Sequence, residues 1–460
     1  MTDTAERPAP AAPRPYHFPP FARRTLPNGL RLVVAPVHKL PVVSAVAVVD
    51  AGAVTDPAGG GGGRDGLAML TARALAEGTA SLDAGAFTER VERLGTAVDA
   101  GADWDATVVT MTALTERFAD AFALFAEVLT QPAFPERVVE RLKGERLAEL
   151  LQLRAEPRGL ADEMFMRALY APSSRYARPD GGSEGTVAAL TRDDVVAFHA
   201  ARYRPAATTL VVAGDITADD AERLAERTLG GWAGEAPPPP AVDDAPATRA
   251  RRVQLVVKGD APQSELRVGH VGVPRRHPDY FPITVMNAIL GGLFNSRVNM
   301  NLREEHAYTY GAHSGFDWRV GAGPFGVWTA VKSDVTDAAA REVLKEIDRM
   351  RAEPVSADEL SLATSYLDGL FPIRYETTAA IASALANLVI YGLPEDYFDT
   401  YRERVRAVTA EQVLRAAQTH VRPQELQVVV VGDPAAVRAP LEALSPGGVQ
   451  LFDAEGKPVA

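Results

Sequence analysis

The spacing of apolar residues in the first half of the chain alternates between strand-like and helix-like. Residues 29–49 hold two stretches rich in β-branched residues that are separated by Lys39 and Pro41, which predicts a β-hairpin. Two further strand-like pieces flank Gly101 within residues 97–114. Elsewhere apolar positions recur at helical spacing, and this predicts helices over residues 66–76, 86–94, 117–129 and 136–153.

The second half shows a similar order of patterns. Strands are predicted over residues 254–257 and 265–271, followed by a helix over residues 281–289 and a turn at Gly291-Gly292. Another helix comes next, then a hairpin with Tyr and Trp over residues 308–332, and then the remaining helices. Because strands cluster at short spacing before runs of helices, we predict an α+β fold with antiparallel sheets, not a doubly wound parallel sheet.

An internal repeat links the two halves. Residues 191–215 (TRDDVVAFHAARYRPAATTLVVAGD) and 409–433 (TAEQVLRAAQTHVRPQELQVVVVGD) align in one register without a gap. Each copy has a Thr that can cap a helix, an amphipathic helix, an Arg-Pro stop and a β-branched strand that ends in Gly-Asp. The repeat predicts two tandem homologous domains.

A proline-rich and acidic segment, EAPPPPAVDDAP, lies between the two copies at residues 235–246. Four consecutive prolines favour extended polyproline geometry, so the segment is expected to act as a semi-rigid spacer. We therefore expect a disordered or extended arm, a first domain, a linker, a second domain and a tail, at residues 1–22, 23–234, 235–250, 251–440 and 441–460 respectively.

Composition narrows the classes of function. The 460 residues include 48 Lys and Arg against 60 Asp and Glu, a net charge of −12, which excludes a general binder of nucleic acid or anionic membranes. The absence of Cys excludes disulfides, thiolate metal sites and cysteine nucleophiles. No apolar run approaches the ~18 residues of a membrane-spanning helix, and the N-terminus lacks the apolar core of a secretory signal. We expect a cytoplasmic protein.

Motifs for common catalytic sites give little support. The chain has 8 His, and no two of them stand three or four residues apart, the spacing at which two imidazoles share one helical face. The five glycines at residues 59–63 are not followed by Lys-Ser or Lys-Thr, which predicts a flexible loop and not a phosphate-binding loop. We also expect no serine nucleophile elbow.

One segment, residues 66–79 (GLAMLTARALAEGT), resembles the active-site helix of M16 (insulinase/pitrilysin-type) zinc peptidases, whose form is close to GLAHFLEHMLFKGT. In that family an HxxEH motif supplies two zinc ligands and a general base. The resemblance places the ligands at Met69 and Arg73 and the base at Ala72, so all three are replaced. The family's distal Glu ligand falls on Glu149, which is present. We expect Arg73 to pair with Glu149 in place of a metal; the alternative is that both side chains point to solvent.

A second segment, residues 290–316 (LGGLFNSRVNMNLREEHAYTYGAHSGF), is similar to the M16 C-terminal-domain pattern LGGxxxSRLxxxLREKxGxxY. The resemblance implies that Arg303 and Tyr310 hold the substrate backbone and stabilise the oxyanion, as a cation and a phenol can. The alternative roles are a surface ion pair for Arg303 and strand packing for Tyr310. Tyr308 is expected on the opposite face of the same strand.

Taken over residues 23–433, the resemblance implies an M16 peptidase-like (LuxS/MPP-like) half-clamshell with a degenerate zinc motif in its first domain and the Arg/Tyr pair in its second. Bacterial M16 proteins of this size commonly act as heterodimers. The resemblance therefore implies a non-catalytic, substrate-binding subunit that holds no metal, is inactive alone and needs an HxxEH-bearing, zinc-containing partner to act on a peptide. Two alternatives remain: a scaffold akin to the core subunits of respiratory complexes, and a hydrolase whose metal site is built from His306, His313 and nearby carboxylates.

Overall fold

The computed structural model describes residues 15–58, 63–259, 261–445 and 447–459. Within them the strands are β1 (Ala22–Thr25), β2 (Arg31–Pro36), β3 (Val42–Val49), β4 (Val98–Ala102), β5 (Thr107–Leu114), β6 (Thr208–Gly214), β7 (Arg252–Val257), β8 (Gln263–Val271), β9 (Ala312–Phe316), β10 (Pro324–Lys332), β11 (Gln427–Gly432) and β12 (Val449–Phe452).

The α-helices of the same residues are α1 (Leu67–Ala74), α2 (Ala84–Arg93), α3 (Thr115–Thr130), α4 (Glu136–Ala155), α5 (Pro157–Leu169), α6 (Glu184–Ala189), α7 (Arg192–Arg202), α8 (Ala218–Leu229), α9 (Tyr280–Asn287), α10 (Arg297–Asn299), α11 (Thr336–Ala352), α12 (Ala357–Arg374), α13 (Thr378–Ile390), α14 (Tyr397–Arg406), α15 (Ala410–His420) and α16 (Pro434–Glu442). Among the described residues no helix has the length and apolarity to cross a membrane. The predicted flexible loop at residues 59–63 falls outside the described residues, apart from Gly63.

The first sheet has the strand order β1-β2-β6-β3-β5-β4. The hairpin predicted over residues 29–49 is wrong, because β6 lies between β2 and β3 and pairs with both, parallel to β2 and antiparallel to β3. Every residue of β6 is buried. A strand with two buried faces is most stable at the centre of a sheet, where its neighbours satisfy its backbone on both sides.

The second sheet repeats this arrangement with the order β12-β7-β11-β8-β10-β9. The fold class is confirmed as two tandem α+β domains, but both sheets are mixed: β11 runs parallel to β7, and β12 also runs parallel to β7. The predicted hairpin with Tyr and Trp is confirmed at its core, where β9 and β10 pair antiparallel.

The internal repeat is confirmed at the level of structure. Helices α7 and α15 occupy equivalent positions, and each starts at a Thr N-cap, Thr191 or Thr409, within a capping box. The strands that follow them, β6 and β11, take the same inserted place in their sheets. A satisfied N-cap contributes about 1 kcal/mol to helix stability, so the same device fixes the start of the helix in both halves.

Each half also contributes a helix to the other half. Helix α5 of the first half packs on β8 and β11, whereas α13 of the second half packs on β3 and β6. Residues 15–21, in the predicted arm, lie against the second half too: Phe18 stacks on Phe398 with ring centroids 4.0 Å apart, and the Tyr16 hydroxyl donates to the Tyr375 carbonyl. The remainder of that arm, residues 1–14, falls outside the described residues.

Candidate functional site

Helix α1 carries the degenerate motif, and its N-terminus is rigidly held. Gly66 precedes the helix with φ +95°, and a Cβ there would lie 2.7 Å from the Gly181 carbonyl oxygen, so a glycine is required. The Asp56 carboxylate accepts hydrogen bonds from the backbone N–H groups of Gly66 and Ala68, both at 2.8 Å. An anion at this place also suits the partial positive charge of a helix N-terminus.

The predicted ion pair between Arg73 and Glu149 is present. The Arg73 guanidinium donates to both carboxylate oxygens of Glu149 on α4, at 2.8 and 3.1 Å. Arg146 donates to the same carboxylate at 3.0 Å. Hydrogen bonding from Arg73 and Arg146 holds the pKa of Glu149 below its usual value. The alternative in which both side chains point away into solvent is therefore wrong.

These residues do not fit a zinc ion. Arg73 cannot be deprotonated to act as a ligand, Ala72 is buried and offers no base, and Met69 is a weak neutral donor. Glu149 alone remains of the implied ligand set, and both its oxygens accept hydrogen bonds from guanidinium groups. Catalysis through a metal held at this helix is not supported by its side chains.

The second motif lies at a groove with a volume of about 990 Å³ that both Arg303 and Tyr310 line. The Tyr310 side chain is 90% exposed. The Arg303 guanidinium lies over the Phe294 ring, 4.8 Å from its centroid, and 3.2 Å from the Glu304 carboxylate. The two implied substrate-binding residues thus face the same open space; Tyr310 is almost fully exposed, and Arg303 rests on an aromatic ring.

The expectation that Tyr308 and Tyr310 occupy opposite faces of one strand is wrong. Strand β9 begins only at Ala312, and the chain before it turns at Ala307, whose φ is +54°. Tyr308 is partly buried and stacks on His306 with ring centroids 4.9 Å apart. The left-handed turn therefore separates the two tyrosines: Tyr308 packs inward and Tyr310 projects outward.

Two π-helical segments, residues Ala288–Gly292 and Met300–Glu305, form part of the groove wall. The sequence predicted a turn at Gly291-Gly292, but the helical path of α9 continues through these glycines in the wider geometry. A Cβ at Gly291 would lie 2.5 Å from the Ser314 backbone nitrogen, so the glycine allows close approach to β9. Such π-segments are frequent at functional sites because they reposition side chains relative to a regular helix.

The groove floor contains residues from both halves, which the sequence did not predict. Arg267 on β8 is 1% exposed, and it pairs with Asp162 of α5 at 2.6 Å and with Glu265 at 2.8 Å. Beside it, His313 stacks on Trp328, with ring centroids 5.4 Å apart. Burial lowers the pKa of His313, so its imidazole is neutral at neutral pH. Only the exchange of α5 brings Asp162 to this groove.

The alternative metal site built on His306 and His313 is not formed. In the ranges that the structure describes, one group of three His, Asp or Glu side chains is close enough to share a metal ion, and it contains neither of these histidines. His306 instead lies near Glu342, with 3.8 Å between Nε2 and Oε2.

The sequence does contain the pattern of a serine nucleophile elbow, contrary to expectation: residues 181–185 read GGSEG and match G-x-S-x-G. The structure gives Ser183 a structural role. Its hydroxyl accepts from the Thr186 backbone N–H as the N-cap of α6, within a capping box. A nucleophile elbow places its Ser between a strand and a helix with a His in reach, whereas Ser183 caps a six-residue helix.

An ion pair beside the groove gives a pH-dependent prediction. The Arg297 guanidinium binds the Glu359 carboxylate in a bidentate manner, at 2.6 and 3.0 Å, and ties α10 to the start of α12. Hydrogen bonds from Arg297 lower the pKa of Glu359 to about 2. Since the folded pKa lies below the unfolded value, the pair stabilises the fold above about pH 4.5 and loses this effect as pH falls toward 2.

We expect Glu359→Gln to lower the free energy of unfolding by about 2 kcal/mol at pH 7; this is less than the full pKa shift implies, since the carboxylate is 30% exposed. Urea titrations of both proteins between pH 7 and pH 3 measure the difference, which should shrink as pH falls. Glu353→Gln removes an exposed partner of Arg349 and serves as the control, with little effect at either pH. A difference between Glu359→Gln and the parent that stays constant with pH would contradict the assignment.

Comparison with known proteins agrees with the geometry. Residues 33–177 match the family described as insulinase (peptidase family M16), and residues 189–367 match the peptidase M16 inactive domain. The non-peptidase homolog YmxG of Helicobacter pylori is 23% identical over 373 residues, which cover 80% of this chain and 84% of that protein. An uncharacterized zinc protease of Mycobacterium tuberculosis is 24% identical over 417 residues, 89% and 92% of the two chains.

A crystal structure of a peptidase M16 inactive domain from Pseudomonas fluorescens superposes with a TM-score of 0.84 at 26% identity, and the match covers 91% of this chain and 99% of that one. The two family matches follow one another along the chain and together span most of it, including α1, α4 and both residues of the Arg/Tyr pair. The chain therefore belongs to the M16 peptidase family.

Proposed function

We propose that the chain is the non-catalytic, substrate-binding subunit of a heterodimeric M16 zinc metallopeptidase. A partner subunit with an intact HxxEH motif supplies the zinc ion, the attacking water and the general base. Arg303 and Tyr310 of this chain donate hydrogen bonds to the peptide backbone and to the oxyanion that forms in the partner's site. We place the assembly in the cytoplasm, since a chain without Cys suits a reducing compartment.

The observation that carries the proposal is the exposure of Tyr310 in a groove that it shares with Arg303. An aromatic side chain that is 90% exposed adds nothing to the stability of the fold. A phenol O–H and a guanidinium that face one open groove are the donors that a developing oxyanion needs. Their arrangement is therefore more readily explained by a ligand than by folding.

The replaced motif on α1 also supports a role in which this chain binds the substrate and the partner subunit holds the zinc ion. The bidentate contact of Arg73 with Glu149 closes the place at which a metal would otherwise join α1 and α4. The two helices stay connected without zinc, so this half keeps its shape while it lacks the hydrolytic groups. A subunit of this kind can bind the substrate, but the peptide must be hydrolysed by groups of another subunit.

The test is reconstitution with an HxxEH-bearing M16 subunit from the same organism. Each subunit alone and the equimolar mixture are assayed on a fluorogenic peptide library, with and without a chelator. We expect hydrolysis by the mixture only, loss of activity on chelation and recovery on addition of zinc. Chelator-sensitive cleavage by this chain alone would overturn the proposal. If this chain forms a stable complex with that subunit, but the subunit hydrolyses peptides equally well without it, a scaffold role is indicated instead.

A further inference from the structure

Three potential metal ligands meet at the N-terminal end of α9, at the surface of the second domain. His277 lies in the turn before the helix, Asp279 directly precedes it, and His420 is the last residue of α15. One ligand atom from each of the three lies within 4.8 Å of the other two. Among the described residues this is the one group of its kind, and neither the degenerate motif nor the groove contains it.

The contacts within the group hold the ligands close together. His420 is 5% exposed, and its Nε2 lies 2.7 Å from an Asp279 carboxylate oxygen. The His277 ring stands edge-on to the His420 ring, with centroids 4.6 Å apart. The His277 Nδ1 accepts a hydrogen bond from the Asp279 backbone N–H at 3.1 Å.

We propose that His277, Asp279 and His420 form a binding site for a divalent first-row transition metal ion, with zinc as the expected occupant. Two imidazole nitrogens and one carboxylate oxygen are a donor set that zinc accepts, with water in the fourth position. Bonds of about 2.0–2.1 Å place neighbouring ligands of a tetrahedral ion roughly 3.3 Å apart. The Asp279–His420 hydrogen bond of 2.7 Å would open slightly to admit the ion, and the His277 ligand atom, which lies within 4.8 Å of the other two, would have to move closer to them.

The surroundings allow such an ion. A cavity of about 330 Å³ opens beside His277, and the charges of Arg276 and Arg404, which also line it, are exposed and screened by water. Arg275, the buried cation of this region, is occupied elsewhere, since its guanidinium lies over the Tyr280 ring at 3.6 Å and donates to the Tyr397 hydroxyl at 2.7 Å. Arg415 acts on Asp279 through charge, but its side chain is exposed and so screened by water.

The internal repeat supplies a matched comparison. The residue of the first half that is equivalent to His420 is Arg202, the last residue of α7. Arginine carries a positive charge at the end of the helix and cannot ligate a metal. The proposed site is therefore specific to the second half, and His420→Arg replaces a ligand by the residue that the homologous helix carries at this position.

The experiment uses the full chain after dialysis against a chelator. Isothermal titration with Zn²⁺ measures the stoichiometry, and visible absorption after addition of Co²⁺ reports on coordination by imidazole in a tetrahedral site. We expect one ion per chain, a rise of the melting temperature with Zn²⁺, and at least a tenfold loss of affinity in both His277→Asn and His420→Arg. The double variant His306→Ala/His313→Ala is the control and should bind as the parent does.

Absence of saturable binding of one equivalent by the parent chain would overturn the proposal, and so would unchanged affinity in either ligand variant. Circular dichroism of each variant before titration separates lost binding from lost folding. Should His420→Arg fail to fold, His277→Asn, which changes a partly exposed turn, decides alone. These outcomes do not depend on a partner subunit or on peptide hydrolysis, so they are independent of the proposed function.

Discussion

Replacing Tyr310 by Phe should lower kcat of the reconstituted heterodimer by about 10²-fold and leave KM little changed. The substitution removes one oxygen and keeps the ring, so it deletes a hydrogen-bond donor without altering the groove. Since the side chain is 90% exposed, the fold of the free subunit does not depend on it. A donor whose hydrogen bond strengthens as the oxyanion develops stabilises the transition state more than the bound substrate, and its loss therefore appears mainly in kcat.

The chain provides a matched control in Tyr308, two residues away. Tyr308 stacks on His306 outside the groove lining, so Tyr308→Phe should leave kcat within about twofold.

Replacing Arg303 by Met should also lower kcat/KM. Arg303→Lys should retain only part of the parent's kcat/KM, because an ammonium lacks the planar fork of a guanidinium. Steady-state kinetics on one peptide substrate, with unfolding midpoints for each variant, measures these effects. Equal rates for Tyr310→Phe and the parent would remove Tyr310 from the proposed mechanism.

Local signals in the sequence predicted the helices well and the sheet order poorly. Thr191 and Thr409 predicted the starts of α7 and α15 because a cap acts on the residues beside it. The insertion of β6 between β2 and β3 could not be predicted in the same way. It joins residues 159 to 178 positions apart in the chain, and the β-branched stretches that suggest a hairpin pair equally well with another strand of the same kind.

In the candidate site, too, some features could be predicted from the sequence and those that depend on distant parts of the chain could not. The pairing of Arg73 with Glu149 was predictable because the family resemblance relates the two positions. The groove floor was not, since Asp162 reaches Arg267 only through the exchange of α5 between the halves. The π-segments and the positive φ of Ala307 were also missed, because no composition rule marks them. The three ligands at the start of α9 show the same limit, since 141 positions separate Asp279 from His420.

Restoring the motif should give the chain a zinc site that it lacks. The triple variant Met69→His/Ala72→Glu/Arg73→His is expected to bind one zinc ion more than the parent, with Kd on the order of nanomolar or tighter. The ion pair itself supplies the geometric reason. Arg73 and Glu149 already bring α1 and α4 to within the reach of shared hydrogen bonds, 2.8 and 3.1 Å. Position 69 lies one turn earlier on the same helical face.

The gain in zinc should depend on Glu149, and this dependence distinguishes a restored site from loose binding by added histidines. Adding Glu149→Gln to the triple variant removes the third ligand and should weaken the additional zinc at least tenfold, whereas His277→Asn should not affect it. Arg146 then loses its carboxylate partner, so unfolding must be measured in parallel. Metal analysis after dialysis gives the stoichiometry of each protein. If the triple variant folds and holds no additional zinc, α1 has diverged in backbone as well as in side chains, and the loss of a metal at this helix involves more than three substitutions.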